Sequence, residues 1–220
     1  MPNRNSAQNA PELHLISTSP IDIPKLLSVS LAALPYLDYI HVRDKQLTAK
    51  GQLEVLQRML ESGIPLGKIV VNDRLDVALA TRAANLHLAG HSLSLGSARP
   101  LASGMRLGRS IHSAEEAVQA AADGADYCLF GHVYDTASKP GLPGRGLAAL
   151  TATAKACPFP VIAIGGIRPD QAGEIIRCGA RGIAIMTGLF HAPAPAEEAQ
   201  SYRLSMQAAW KGGEPRAGSS

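Results

Sequence analysis

His132 directly follows the apolar run Tyr127-Cys128-Leu129-Phe130-Gly131. From such a place one imidazole can both accept and donate a proton near neutral pH. Other polar side chains fall in comparable places: His41 and Arg43 share one face of an apolar run, Asn72 ends the next, His87 lies in a fourth, and Ser110 and His112 close a fifth. Polar groups on the inner face of a sheet are costly unless paired, so their recurrence at one end of successive runs points to a pocket. Two glycine turns, Ile164-Gly165-Gly166-Ile167 and Met186-Thr187-Gly188-Leu189, suit an anion, because glycine lets backbone N–H groups approach oxygen closely and Thr187 adds a hydroxyl. Before both lies a Gly- and Pro-rich segment, 134–146, which could close over a ligand and whose Lys139 and Arg145 could supply positive charge to an anion.

Plainer readings stand beside these. His14 begins its run and reads as a core histidine at the far end. His87 reads as structural, and His91 and His191 as surface loop residues. Arg43 could pair with Asp44 or Asp38, the Gly165-Gly166 pair could simply permit a tight turn, and Lys139 and Arg145 could serve solubility.

The elements that must position these groups are eight short runs: 13–18, 39–43, 68–72, 85–89, 106–111, 127–131, 161–166 and 182–187. Helical patterns separate them, including a stripe at Leu53, Leu56 and Leu60 and another at Ala172, Ile175 and Ile176. Ser113 with Glu116 reads as a capping box, Pro169 as a first-turn residue and Gly179 as a stop. Alternating strands and helices of this number imply a closed (β/α)₈ TIM barrel, with an open doubly wound sheet as the alternative. The barrel is expected over 12–210, between polar tails at 1–11 and 211–220.

Composition is that of a globular chain, at 46% hydrophobic residues. A net charge of +3 with scattered basic residues argues against a nucleic-acid surface. Cys128, Cys157 and Cys178 match no metal or disulfide spacing, which indicates reduced thiols. No run is long enough to span a membrane, and the polar start argues against an export signal, so the cytoplasm is expected.

His41-Val42-Arg43-Asp44-Lys45, Asn72-Asp73-Arg74, Gly108-Arg109-Ser110-Ile111-His112-Ser113, the 134–146 loop and the two glycine turns together resemble the superfamily of thiamine phosphate synthases and TenI-type thiazole tautomerases, over about residues 12–210. Synthases of that superfamily carry Gln-x-Arg-x-Lys after strand two and hold magnesium with two aspartates. Here His41 stands at the Gln position and Ser92 at the second aspartate, and the sixth turn is Gly131-His132 rather than Gly-Pro. These departures resemble the tautomerase branch.

That resemblance implies a cofactor-independent isomerase, with no metal, that aromatises a carboxythiazole phosphate. His132 would move the proton, Gly165, Gly166, Met186 and Thr187 would hold the phosphate, Arg43 and Lys139 the carboxylate, and Ser110 and Thr136 would orient the ring. A homodimer with thiazole phosphate as its small-molecule partner is implied too. Two alternatives remain: a magnesium-dependent thiamine phosphate synthase, favoured by Lys45, Asp73 and Lys139, and a non-catalytic thiazole phosphate-binding regulatory protein.

Overall fold

The structure is a computed structural model and describes residues 10–210; the tail expected at 211–220, and all but the last two residues of the one expected at 1–11, lie outside them. The eight apolar runs form eight strands: β1 Glu12–Ile16, β2 Tyr39–Val42, β3 Ile69–Asn72, β4 Asn85–Leu88, β5 Arg106–Ile111, β6 Tyr127–Gly131, β7 Val161–Ile164 and β8 Gly182–Ile185. All pair in parallel, in sequence order, and β8 returns to β1 through Glu12↔Gly182 to His14↔Ala184 and Leu15↔Ile185. The barrel is therefore closed. β-branched and leucine residues dominate the runs because each strand is covered on both faces.

The helices are α1 Ile23–Ala33, α2 Ala49–Glu61, α3 Leu75–Thr81, α4 Leu95–Ala98, α5 Ala114–Ala122, α6 Gly146–Ala156, α7 Pro169–Arg177, α8 Thr187–Phe190 and α9 Pro195–Ala209. Short side chains start several of them: Asp22, Thr48, Ser94 and Ser113 each accept the N–H three residues on, satisfying a donor that the helix cannot. The box expected at Ser113 closes differently, since Glu116 reaches past the cap to the N–H of His112 at 2.8 Å. Pro169 opens α7, and Gly179, at φ 93, follows its end.

The expected stripe on α2 is also displaced. Gln52, Val55, Leu56 and Met59 form its buried face, while Leu60 is exposed. Gln52 belongs inside because its amide donates to the carbonyls of Val42 at 3.0 Å and Asn72 at 3.1 Å, tying α2 to two strand ends. On α7 the expected Ala172, Ile175 and Ile176 are buried. The main core lies between strands and helices, and a smaller apolar cluster of Ile16, Tyr127, Leu129, Ile162 and Ala184 lies inside the barrel. Cys128 and Cys157 are both buried. Among the described residues no helix is long and apolar enough to cross a membrane.

Candidate functional site

Strand alternation sends His14, His41, Asn72, His87, Arg106 and Ser110 to the inner face, where they form two short polar systems. The lower one begins at Glu12, whose carboxylate takes Arg106 Nη2 at 3.0 and 2.9 Å and His14 Nε2 at 2.9 Å. His14 Nδ1 meets His41 Nε2 at 3.0 Å, and His41 Nδ1 stands 3.2 Å from Asn72 Oδ1. Arg106 lies between the rings of Tyr39 and Tyr127, 4.6 and 4.5 Å from their centroids. Above it, His87 Nε2 pairs with Ser110 Oγ at 2.8 Å.

Burial raises the Glu12 carboxyl, but its bond from His14 and the charge and bonds of Arg106 outweigh that and bring it down to about 2. Burial lowers all three imidazoles, His41 well below its ordinary value and His87 to about 3, so these rings are neutral at pH 7. His14 is thus the core histidine the sequence suggests. His41 and His87 are fully enclosed too, and His41 does not reach the cavity as a free base.

At the carboxyl ends of the strands lies a cavity of about 680 Å³. It brings together Arg43, Lys45, Asn72, Ser110, His132, Thr136, Lys139, Gly165, Gly166, Met186 and Thr187, all singled out by sequence. Asp38 instead pairs with Arg203 at 2.6 Å, and Asp44 receives Ser19 Oγ and the N–H of Ile21, so neither claims Arg43.

His132 Nε2 sits 3.1 Å from the carbonyl of Leu142, ten residues along the loop. Arg145 Nε donates to the carbonyl of Gly131 at 3.0 Å, and Gly144 N–H to Asp135 Oδ1 at 2.7 Å. The loop after β6 is therefore fastened to its own base. Gly165 and Gly166, at φ 105 and 67, let it sit close: a Cβ on Gly165 would lie 2.3 Å from His132 Cβ, and one on Gly166 2.4 Å from the carbonyl of Asp135. Close loop packing is thus a sufficient reason for both glycines.

The resemblance also raises a magnesium ion, and the donor set does not fit one. Asp73 Oδ1 receives Ser92 Oγ and the N–H of Ala89, and its Oδ2 lies 3.3 Å from His91 Nε2. Both oxygens of this carboxylate face donors, and the neighbouring hydroxyl of Ser92 spends its proton on it. No group of three or more His, Cys, Asp or Glu among the described residues could hold a metal.

Sequence reasoning missed Glu12 and Arg106. Glu12 lies two residues before His14 and so on the same face, which was the available signal. Its partner at 106 belongs to a strand 94 residues away, which no local pattern reveals.

The thiamine monophosphate synthase family model matches residues 13–189. A thiamine-phosphate synthase of Chlorobium luteolum is 38% identical over 197 residues, covering 86% of this chain and 88% of that protein. One of Chlorobium phaeovibrioides is 41% identical over 175 residues, 76% and 82% of the two chains. The solved thiamine phosphate pyrophosphorylase of Pyrococcus furiosus superposes with a TM-score of 0.76 at 26% identity, covering 90% and 96%.

These findings overturn the expected isomerase. Relatives 35–41% identical bear the synthase name, so the enzyme class indicated is a transferase and not a tautomerase. The physical reason for the misreading is local. Its place after Gly131 suggests a free acid–base group, whereas His132 Nε2 lies against the Leu142 carbonyl of the loop it anchors.

Proposed function

This chain belongs to the thiamine monophosphate synthase family, and on that premise we propose that it is a thiamine-phosphate synthase. It would join a pyrimidine, activated as its diphosphate, to thiazole phosphate. The thiazole nitrogen forms a bond to the pyrimidine methylene carbon, the carbon–oxygen bond to the diphosphate breaks, and pyrophosphate leaves.

The observation that carries this reading is that one cavity is lined both by basic side chains and by two glycine turns, which we read as two anion stations. One is cationic, with Arg43 and Lys45 after β2 and Lys139 on the loop after β6. There the guanidinium grips phosphate oxygens in a fork and the ammonium groups act as point charges on the departing pyrophosphate. The other is formed by the turns after β7 and β8, with Gly165, Gly166, Met186 and Thr187. The carbonyls of Ile164 and Gly165 are bonded to Val133 and Tyr134 of the loop at 2.9 and 3.0 Å, which directs the N–H groups of Gly165 and Gly166 the opposite way, as a phosphate needs.

The remaining residues take supporting parts. Ser110, held by His87, and Thr136 orient the ring that attacks. His132 braces the loop that carries Lys139. The residues present do not hold a cation as two carboxylates would, so neutralisation of the leaving group is assigned to the side-chain cations. The same reading takes the folded unit as 12–210, a homodimer in the cytoplasm with small-molecule substrates and neither nucleic acid nor membrane as partner; light scattering on the purified chain tests the dimer.

The decisive assay supplies the aminopyrimidine diphosphate and thiazole phosphate, with and without magnesium, and follows the coupled product and pyrophosphate by chromatography. Stoichiometric formation of both is expected. No product under either condition sinks the reading. Lys139→Ala is expected to cut kcat/KM by about 10- to 100-fold, the weight of one charge-assisted contact.

A further inference from the structure

The order of partners along the lower polar system determines which way each proton points. Glu12 is a carboxylate and accepts only, so His14 must carry a proton on Nε2, 2.9 Å away. The charge of Glu12 is already matched by Arg106, which bonds both of its oxygens. The other groups facing His14 are Tyr39, His41 and Tyr127, with Asp38 further off and paired to Arg203. A second proton on His14 would therefore place an unmatched charge on a ring with no exposure to water. His14 is neutral, its Nδ1 is bare, and it can only accept.

The rest follows link by link. His41 Nε2, 3.0 Å from that bare nitrogen, must carry the proton, which leaves His41 Nδ1 bare in turn. The Asn72 amide atom 3.2 Å from it stands as Oδ1, and this bonding requires the NH₂ there instead. A half-turn about the last side-chain bond exchanges the amide nitrogen and oxygen with almost no change in shape, so only this bonding decides between them. Asn72 borders the cavity, and the far end of its amide is not among the buried polar atoms left without a partner.

We propose that Glu12, His14 and His41 are positioning residues that set the Asn72 amide with its oxygen toward the cavity, where it accepts a hydrogen bond from an amino group on a heteroaromatic ring. An acceptor at this point favours an aminated ring and repels a phosphate oxygen. The ring and the anion are thereby assigned to different parts of one cavity, the anions to the cations of the β2 end and the loop and to the β7 and β8 turns. The tautomers stand on the buried geometry alone; the identity of the ring as a pyrimidine rests on the transferase reading.

Two measurements on the full chain test this. In protein labelled with ¹⁵N-histidine, long-range proton–nitrogen spectra at pH 7.5 should show His14 and His41 both protonated at Nε2 with bare Nδ1. A proton on His41 Nδ1, or two on His14, overturns the proposal. By calorimetry, a 4-aminopyrimidine should bind about tenfold more tightly than the matching 4-oxopyrimidine, the worth of one well-made hydrogen bond. His14→Phe removes the acceptor that orients His41, and the tenfold preference should fall to near unity while cooperative unfolding persists. An unchanged preference in that variant, or none in the native protein, overturns it as well. Should the variant not fold, the native tautomers decide the matter. Failure of the coupling assay with these tautomers in place would remove the transferase and leave the positioning chain standing.

Discussion

Two faces of the same eight strands rest on different physics. Facing the helices, Leu13 and Leu15, Ile40 and Val42, Leu86 and Leu88, and Ile183 and Ile185 are buried in one continuous apolar shell. Facing inward, the residues between them include His14, His41 and His87, with Glu12 and Arg106 at the base, beside an apolar cluster of Ile16, Leu129, Ile162 and Ala184. The shell stabilises through area removed from water and does not respond to pH. The interior stabilises through matched charges and oriented hydrogen bonds, and every member depends on its neighbour's protonation. Closure of the barrel is thus assigned to one face and orientation of a ligand to the other.

Acid should separate the two faces most strongly. In the unfolded chain each imidazole takes up a proton as pH falls through about 6.5, whereas the folded protein keeps these rings neutral, His87 down to about 3. Their contribution is complete above pH 6.5 and is lost as pH falls toward 3, at roughly 1.4 kcal/mol per pH unit for each ring that stays neutral. Glu12 adds a second loss between 4.5 and about 2, where the unfolded carboxyl is protonated and the folded one is not. Urea unfolding from pH 7.5 to 4.5 reads the slope, and a flat profile would mean the histidines are not held neutral.

Next in size is Glu12→Ala, which strands Arg106 and leaves His14 without an acceptor. Breaking a buried pair from one side costs about 3–5 kcal/mol, and chemical denaturation should show it. Gly108→Ala tests how tightly the interior is filled, because a Cβ there would lie 2.2 Å from Tyr127 Cζ. Overpacking of this kind costs about 1–3 kcal/mol. On the outer surface Leu204→Ala, at 57% exposure, should change stability by less than about 0.5 kcal/mol and give the baseline for the others.

Short apolar runs recurring between helical patterns made the eight strands legible, and the polar residues at the ends of successive strands made most of the cavity residues legible. That worked because side-chain direction in a strand is a local property. What a side chain bonds to is not local. Glu12 and Arg106 meet only when the sheet closes, and Leu142 reaches His132 only because of the path the loop takes. The isomerase expectation failed for that reason, since it read His132, Ser92 and His41 one at a time. In the folded chain Ser92 serves Asp73, and His41 sits between His14 and Asn72. The Leu53-Leu56-Leu60 stripe failed similarly, because Gln52 earns its buried place from two carbonyls on strands outside its own helix.

Arg203, in α9, donates to the carbonyls of Pro11 at 2.6 Å and Tyr36 at 3.1 Å and to Asp38 at 2.6 Å, and Asp38 Oδ2 also receives the N–H of Leu13. The last helix thus acts as a latch over the starts of the first two strands. A chain cut before α9 would leave the Tyr36 carbonyl and Asp38, beside the starts of β1 and β2, without their guanidinium partner.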